Sequence, residues 1–501
     1  MISKGQQRLD TELHDGWHIT ARRAFFHVTV VVAFAMIQAL ALPDAEAVDL
    51  FEPGHLSFGG ELRQEIAYRY VDPASFTKVR FQALFNARYA PAAAFSLVGS
   101  VRTYYDAVYD LESVDSIVMR RNPTVLLPDT LTSEQIDALQ VQNLQGAEIR
   151  QHETEVRDLY AEARLSRWEL RLGHQIVRWN VLEGSRVVDE VNPLDFREFI
   201  LPSVVDRMIP LSMLRVDYYP NDWTVEGLWI PDQRFHEPAP KGSEWEQLQN
   251  LENLEHPAQT FANSEWALKV SGTLGTWEAS LSYFDTWDDF PTAFRTITSP
   301  GGFGTAPEVE FHPRATRLQI IGSTLTNSFG SVIVSTEAAY VIGKHFGLTL
   351  PLFDPATNQF VGGTPDQIQT GEAETNYVKY ALGADTRLFK TDWSLQMQQE
   401  IIPQYTQEII QDQVSTIFGF FGRRELGYGA MTVEGLILYF VNENGWLGRP
   451  KASWRLTDNL KLAFGADLFS GTIGGPLPGE FNFAGFFVNH GRVYTDLSYS
   501  F

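Results

Sequence analysis

The sequence predicts an all-β chain: a transmembrane antiparallel outer-membrane β-barrel of eighteen strands, with sixteen as the alternative count and a short helix-containing loop folded into its lumen. Three observations carry this reading. Apolar and polar residues alternate with period two along most of the chain. An apolar segment of export type comes before the alternation. The last segment alternates as well and ends on an aromatic residue, Phe501.

Composition sets the bounds. The chain has 501 residues, 44% hydrophobic and 13% aromatic, with no Cys and a formal charge of −23. Without Cys, disulfide frameworks, thiolate metal sites and cysteine nucleophiles are excluded. The acidic balance argues against a nucleic-acid partner, because phosphates need cations to neutralise them.

The N-terminal part reads as a signal peptide over 1–47. Arg22-Arg23 precede an apolar run from Ala24 to Leu42, and Ala45-Glu46-Ala47 supplies a small-x-small cleavage site at Ala45 and Ala47. The alternative for this run is a membrane anchor. From residue 48 to 501 a single barrel domain is expected.

The alternation is clearest in hairpins. Trp266, Leu268 and Val270 share one face, and Glu265, Lys269 and Ser271 the other. After the turn 272–276, Trp277, Ala279, Leu281 and Tyr283 alternate with Glu278, Ser280 and Ser282. A soluble sandwich shows the same pattern, so other features must decide. The strands are long enough for a tilted membrane crossing. Short turns alternate with long polar connections. Trp and Tyr sit at strand ends (Tyr104, Tyr105, Trp168, Tyr218, Tyr219, Trp223, Trp277, Trp287, Trp393 and Trp446), as girdles at lipid interfaces require.

In order, strands are expected near 55–70, 76–90, 94–105, 154–165, 167–176, 211–219, 222–230, 262–273, 276–287, 313–326, 331–343, 376–389, 391–403, 430–441, 446–456, 459–469 and 490–501. Seventeen strands cannot close a single-chain barrel with both ends on the periplasmic side. The turn Leu456-Thr457-Asp458-Asn459 would also face outward, although it looks periplasmic. One more strand inside 405–429 restores the parity, and Val414 to Gly422 is apolar enough to supply it. In the final strand, Val493, Thr495, Leu497, Tyr499 and Phe501 share a face; Tyr499 and Phe501 form the expected signal to the barrel-assembly machinery.

Among the connections, 132–150 reads as a short helix in a solvated loop. The connection 177–210 is different, because it mixes Val, Ile, Leu and Phe with charges in pairs: Arg186 with Asp189, Asp195 with Arg197 and Glu198, Asp206 with Arg207. A loop free in water has no use for that apolar content, whereas one folded into a lumen must pack on the wall and satisfy its charges. Asn192 as N-cap, Pro193 at the first helical position and Asp195 in the first turn predict a helix over 193–200. The segment is therefore expected to be a lumenal constriction, with Arg178, Arg186, Asp189, Asp195, Arg197, Asp206 and Arg207 as gating residues. Alternation places Arg164, Arg171, Arg215, Asp217, Glu226 and Lys269 on the lumen lining, with Glu265, Glu278, Asp385 and Arg387 on the same face.

The blocks Arg171-Leu172-Gly173-His174-Gln175 with Arg178-Trp179, Asp189 to Phe199, Arg207 to Tyr219 and Trp229-Ile230-Pro231-Asp232 resemble the proteobacterial family called domain of unknown function 1302. Pro476 to Phe481 and Asn489 to Phe501 resemble the end of that family. The resemblance implies an outer-membrane protein of a Gram-negative bacterium. It also implies passage of a hydrophobic or lipid-like compound, alongside an inner-membrane transporter of the resistance-nodulation-division type and a periplasmic lipid-carrier-like protein.

Function is thus expected to be passage across the outer membrane, in contact with its lipid and lipopolysaccharide. A structural or adhesive barrel acting through surface loops is one alternative, and a lipid-modifying enzyme another. An enzyme is not expected: no H-E-x-x-H or G-x-S-x-G occurs, and His174 reads as a packed or girdle residue. No cofactor or metal site is read.

Overall fold

The computed structural model describes residues 56–72, 74–112, 150–241, 243–246, 254–298, 308–348, 353–354, 359–360, 372–472 and 483–501. The signal peptide with Ala45 and Ala47, and most of the helix expected over 132–150, lie outside these residues.

Eighteen antiparallel strands follow one another around a closed sheet. The first nine are β1 (Leu56–Arg69), β2 (Ser75–Ala92), β3 (Phe95–Asp106), β4 (His152–Leu165), β5 (Trp168–Gln175), β6 (Leu211–Tyr218), β7 (Trp223–Ile230), β8 (Glu265–Leu274) and β9 (Trp277–Trp287). The rest are β10 (Arg317–Phe329), β11 (Val332–Gly347), β12 (Glu372–Leu388), β13 (Thr391–Ile401), β14 (Val414–Leu426), β15 (Met431–Phe440), β16 (Gly445–Arg455), β17 (Leu460–Ser470) and β18 (Arg492–Ser500). The strand demanded by parity is β14. Residues 313 and 314, expected at the start of a wall strand over 313–326, belong instead to the segment 308–314, which pairs with 292–298 in a separate hairpin.

Closure runs from Glu61–Arg69 of β1 to Arg492–Ser500 of β18. It removes the two edges that an open sheet would expose to lipid, where unpaired backbone groups have no water to satisfy them. Phe501 extends the seam by a reciprocal pair of backbone hydrogen bonds with Gly60, at 2.9 and 3.1 Å. Its ring lies over Gly60, where any Cβ would come within 2.7 Å of it, and 6.1 Å from Phe85. Tyr499 pairs with Leu62 across the same seam.

The outer face is apolar: Leu62, Phe85, Leu159, Leu172, Leu281, Ile333, Leu395 and Phe464 all stand exposed on it. Their strand neighbours on the other face are charged or small and mostly buried, among them Arg69, Lys78, Glu226, Glu337, Lys379 and Asp467. An apolar exterior around a polar interior is the reverse of a soluble sandwich and is what a barrel in lipid requires. The chain is an outer-membrane barrel.

The two ends differ. At one end β2/β3, β4/β5, β8/β9, β10/β11 and β12/β13 are joined by two residues each. Four of these turns use left-handed backbone, supplied by Ser166 (φ 55°), Gly275 (φ 67°) and Gly330 (φ 64°), and in the last turn by Phe389 (φ 53°) and Lys390 (φ 61°) together. The long connections leave the other end.

Candidate functional site

The connection between β5 and β6 does not remain at the rim. Its two legs are first stapled to each other. Asn192 Oδ1 accepts from the Val177 amide (2.9 Å), Asn192 Nδ2 donates to the Ile209 carbonyl (2.8 Å), and Asp189 Oδ1 accepts from the Trp179 amide (3.0 Å). Stapled in this way, the loop presents Val177, Trp179, Leu182, Val187, Val188 and Val191 on one side. They pack against inward residues of β6 to β12, among them Met213, Leu228, Phe284, Ile320, Val341 and Ala381.

The tip reaches deep. Glu337, in the lower half of β11, accepts the amides of Val181 and Leu182 at 2.7 and 2.8 Å. Gly383 of β12 leaves room for the tip, because a Cβ there would lie 2.2 Å from Leu182 Cδ2. Gly322 of β10 does the same for Val188, at 3.1 Å. Trp179 Nε1 donates to Glu226 of β7 (2.7 Å), and Lys269 of β8 donates to the Trp179 carbonyl (3.2 Å). Lys379 of β12 donates to the Arg186 carbonyl (3.1 Å) and pairs with Glu190.

The second half of the same segment meets the opposite wall. Glu198 pairs with Lys78 and Arg80 of β2, and Arg197 with Glu153 of β4. Arg102 of β3 donates to the Asp206 carbonyl (3.1 Å). Arg157 of β4 donates to the carbonyls of Met208 (2.7 Å) and Val205 (2.8 Å). Phe199 stacks among Trp245, Phe469 of β17, Phe483 and Phe487. In a ring of eighteen, β2 and β11 stand nine places apart and face each other across the diameter. One loop bound to both crosses the interior.

The helix expected over 193–200 is not formed. Asn192 spends its side chain on the staple, so it cannot cap. Leu194 and Asp195 bridge to Met208 and Glu237, and Phe199 is left-handed (φ 56°), which ends any helical run. The one helical turn of the segment lies at Val204–Arg207, capped by Ser203, whose Oγ accepts from the Asp206 amide at 3.2 Å.

The expected charge pairs are partly re-sorted. Arg197 does bind Asp195, through Nε and Nη2 at 2.9 and 2.6 Å. Arg186 binds Glu190 (3.1 Å) instead of Asp189, whose oxygen is used on the Trp179 amide. Glu198 turns to the wall, and Asp206 accepts from Ser203. Arg178 is exposed and holds no ion pair among the described residues. Arg207 is buried over the Phe196 ring, 5.5 Å from its centroid, and faces no carboxylate within ion-pair distance among the described residues.

These environments shift the loop's titrations. Burial pushes Asp189 up, against Arg186 and the Trp179 amide. Burial also works to raise Glu190, but Lys379 and Arg186 outweigh it and hold the carboxyl at about 2. Arg207 is lowered to about 10 by burial, with Arg186 and Arg449 adding repulsion.

Of the expected lining residues, Arg215, Asp217, Glu226 and Lys269 form one cluster below Trp179. Arg215 binds Asp217 (2.8 Å) and Glu226 (3.1 Å). Arg164 and Arg171 lie apart from it near the short-turn end, sharing Glu162 and Glu169. Sequence reasoning missed Glu337 and Lys379, and missed Lys78, Arg80, Arg102 and Arg157. Their signal was a charged residue on the inward face of a strand, but nothing in the sequence says which loop such a residue will hold.

Between the second half of the loop and strands β1–β3, β14–β16 and β18 lies a cavity of about 430 Å³, lined by ten Lys or Arg and eight Asp or Glu side chains. Among the described residues no cluster of metal-ligating side chains occurs.

Comparisons with known proteins add the following. The model of a family described as "Protein of unknown function (DUF1302)" matches residues 67–434. Among curated proteins nothing matches the chain. Similar solved structures include OccAB2 of Acinetobacter baumannii, 10% identical, with 89% of this chain and 98% of that one covered and a TM-score of 0.48. OpdK of Pseudomonas aeruginosa, solved with vanillate, is 9% identical over 89% of this chain and 98% of that one, with a TM-score of 0.47. OmpT of Vibrio cholerae is 10% identical over 89% and 99%, with a TM-score of 0.37. At such scores the likeness carries no inference about function, and the barrel rests on its own strand pairing.

Proposed function

The chain belongs to the DUF1302 family of proteins of unknown function, and from the site itself we propose that it is an outer-membrane channel closed by the segment 177–210, which must shift for a solute to pass. The observation that carries this is the attachment of one loop to walls nine strands apart, through Glu337 on β11 and through Lys78 and Arg80 on β2. Eighteen strands enclose more space than wall side chains can fill, so a lumen of this size is either open or plugged. A loop that only decorated the surface would not place Leu182 beside Gly383, five residues above a short turn.

The lining favours a charged or polar solute over the hydrophobic, lipid-like one that the family resemblance implies. The cavity beside the plug is walled by eighteen ionisable side chains of both signs. An apolar molecule would have to displace their hydration without offering them a partner.

The test is single-channel conductance of the refolded protein in a planar bilayer, beside a variant lacking 184–207. Discrete steps from the variant, with a closed or rarely opening parent, support a plugged channel. Silence from both, with insertion verified, overturns it.

A further inference from the structure

We propose that the cavity beside the lumenal segment is a binding site for the carboxylate of a small organic acid, and that Arg207 receives it. The proposal rests on the channel reading only where it takes this acid as cargo; the site itself stands on the side chains.

Buried charge is stable only when paired and hydrogen-bonded. Nearly every cation around the cavity obeys that rule. Arg63 pairs with Asp496, Arg80 with Glu198, and Arg102 with Glu155. Arg449 and Arg492 share Asp467 at 2.8 and 2.7 Å, and Lys451 pairs with Glu434 at 3.2 Å. Arg207 is the exception. It lies on the cavity wall, is only 7% exposed, and holds no ion pair among the described residues. Asp195, whose charge attracts Arg207, is already engaged on both oxygens by Arg197. Asp206, its chain neighbour, accepts from Ser203.

Arg449, Arg492 and Arg102 find their counter-ions in Asp467 and Glu155, so the unmet charge is that of Arg207 alone. A missing acceptor therefore has to carry negative charge. One unpaired guanidinium calls for a single negative charge, which a carboxylate supplies. A phosphate dianion would add a second charge among eight carboxylates. The volume, about 430 Å³, lies within the range of small-molecule sites, and Tyr104, Leu201 and Trp245 offer apolar surface to the body of the acid.

The experiment titrates the full-length folded protein in detergent with benzoate, with the neutral isostere benzamide and with inorganic phosphate, by calorimetry and by thermal shift. Benzoate is expected to bind and raise Tm, and benzamide to do neither. Arg207→Met should weaken benzoate binding at least about 10-fold, as loss of a charge-assisted hydrogen bond does. Its own Tm should stay level or rise, because an unpaired buried charge has gone. Arg423→Gln, on a half-exposed arginine of β14 paired with Glu425, should bind like the parent. Equal binding of benzamide, undiminished binding by Arg207→Met, binding of phosphate alone, or no benzoate binding by folded parent would each overturn the proposal. Conductance does not enter this assay. A protein that binds benzoate but never conducts would refute the channel and keep the site.

Discussion

Glu337 is the deepest tether of the plug, and removing it gives the sharpest test of whether the tip is held as described. Its side chain is 1% exposed, and Oε1 accepts two backbone amides, those of Val181 and Leu182. No Lys or Arg pairs with it among the described residues; Ser185 Oγ, at 3.4 Å, adds a weak third donor. Glu337→Ala strands both amides in a buried site, at about 1–3 kcal/mol each. Part of that loss is recovered when the tip loosens or a water enters, so a net cost of about 2–4 kcal/mol falls on the closed tip. At about 1.4 kcal/mol per decade this multiplies the detached population by about 30- to 700-fold. The pairing of β11 with β10 and β12 is backbone-mediated and is untouched, so the barrel should melt as before. Glu337→Gln keeps an acceptor and loses only its charge assistance, so its effect should be less than half as large in free energy. The assay is amide exchange of Val181 and Leu182, with opening frequency in a bilayer as the second readout. If both amides exchange as slowly in folded Glu337→Ala as in the parent, the tether is not what holds the tip.

Other perturbations probe the same architecture. Gly383→Val should push Leu182 off the wall and raise opening frequency, since even its Cβ lies 2.2 Å from Leu182 Cδ2; pairing Gly383→Ala with Leu182→Ala should restore closure. Acid should loosen the Glu190 tether. The folded carboxyl titrates at about 2, below its ordinary value of 4.5, so its contribution is complete above pH ~4.5 and fades as pH falls toward 2. Asp189, raised by burial, acts in the opposite sense, since protonation relieves a cost. Exchange of the 178–192 amides followed from pH 5 to 2 should therefore accelerate in the parent and lose most of that slope in Glu190→Gln. Lys390→Gly relieves a left-handed non-glycine residue in the β12/β13 turn and should stabilise by about 1 kcal/mol in a denaturant titration; a loss would mean that the lysine has a partner there.

What the sequence discloses and what it withholds divide along a physical line. Period-two alternation is local, so Trp266 to Tyr283 announces its hairpin without help from elsewhere. Parity is a global rule that acts on such local signals, and it was enough to ask for a strand within 405–429, at 414–422, where the local pattern is weak and β14 lies. The loop 177–210 was marked by its own composition, since Val187, Val188 and Val191 would have no reason to be apolar in water. Its internal fold was not legible. Asn192-Pro193-x-Asp195 is good helix-start chemistry, but the Asn192 amide gains more by bridging Val177 to Ile209, and Leu194 gains an acceptor in His236. Local propensity is worth about a kcal/mol and yields to such contacts. Charge pairing held for Asp195 with Arg197 and failed elsewhere for the same reason. Neighbours in sequence, Arg186 with Asp189 or Asp206 with Arg207, are natural first guesses, yet a loop crossing a lumen finds its counter-charges on the walls, at Lys379, Lys78 and Arg80. That leaves Arg207 as the informative residue. A sequence reading supplies it with a partner by adjacency. Only the folded chain shows that Asp195 is already engaged by Arg197, which leaves Arg207 without a counter-ion among the described residues.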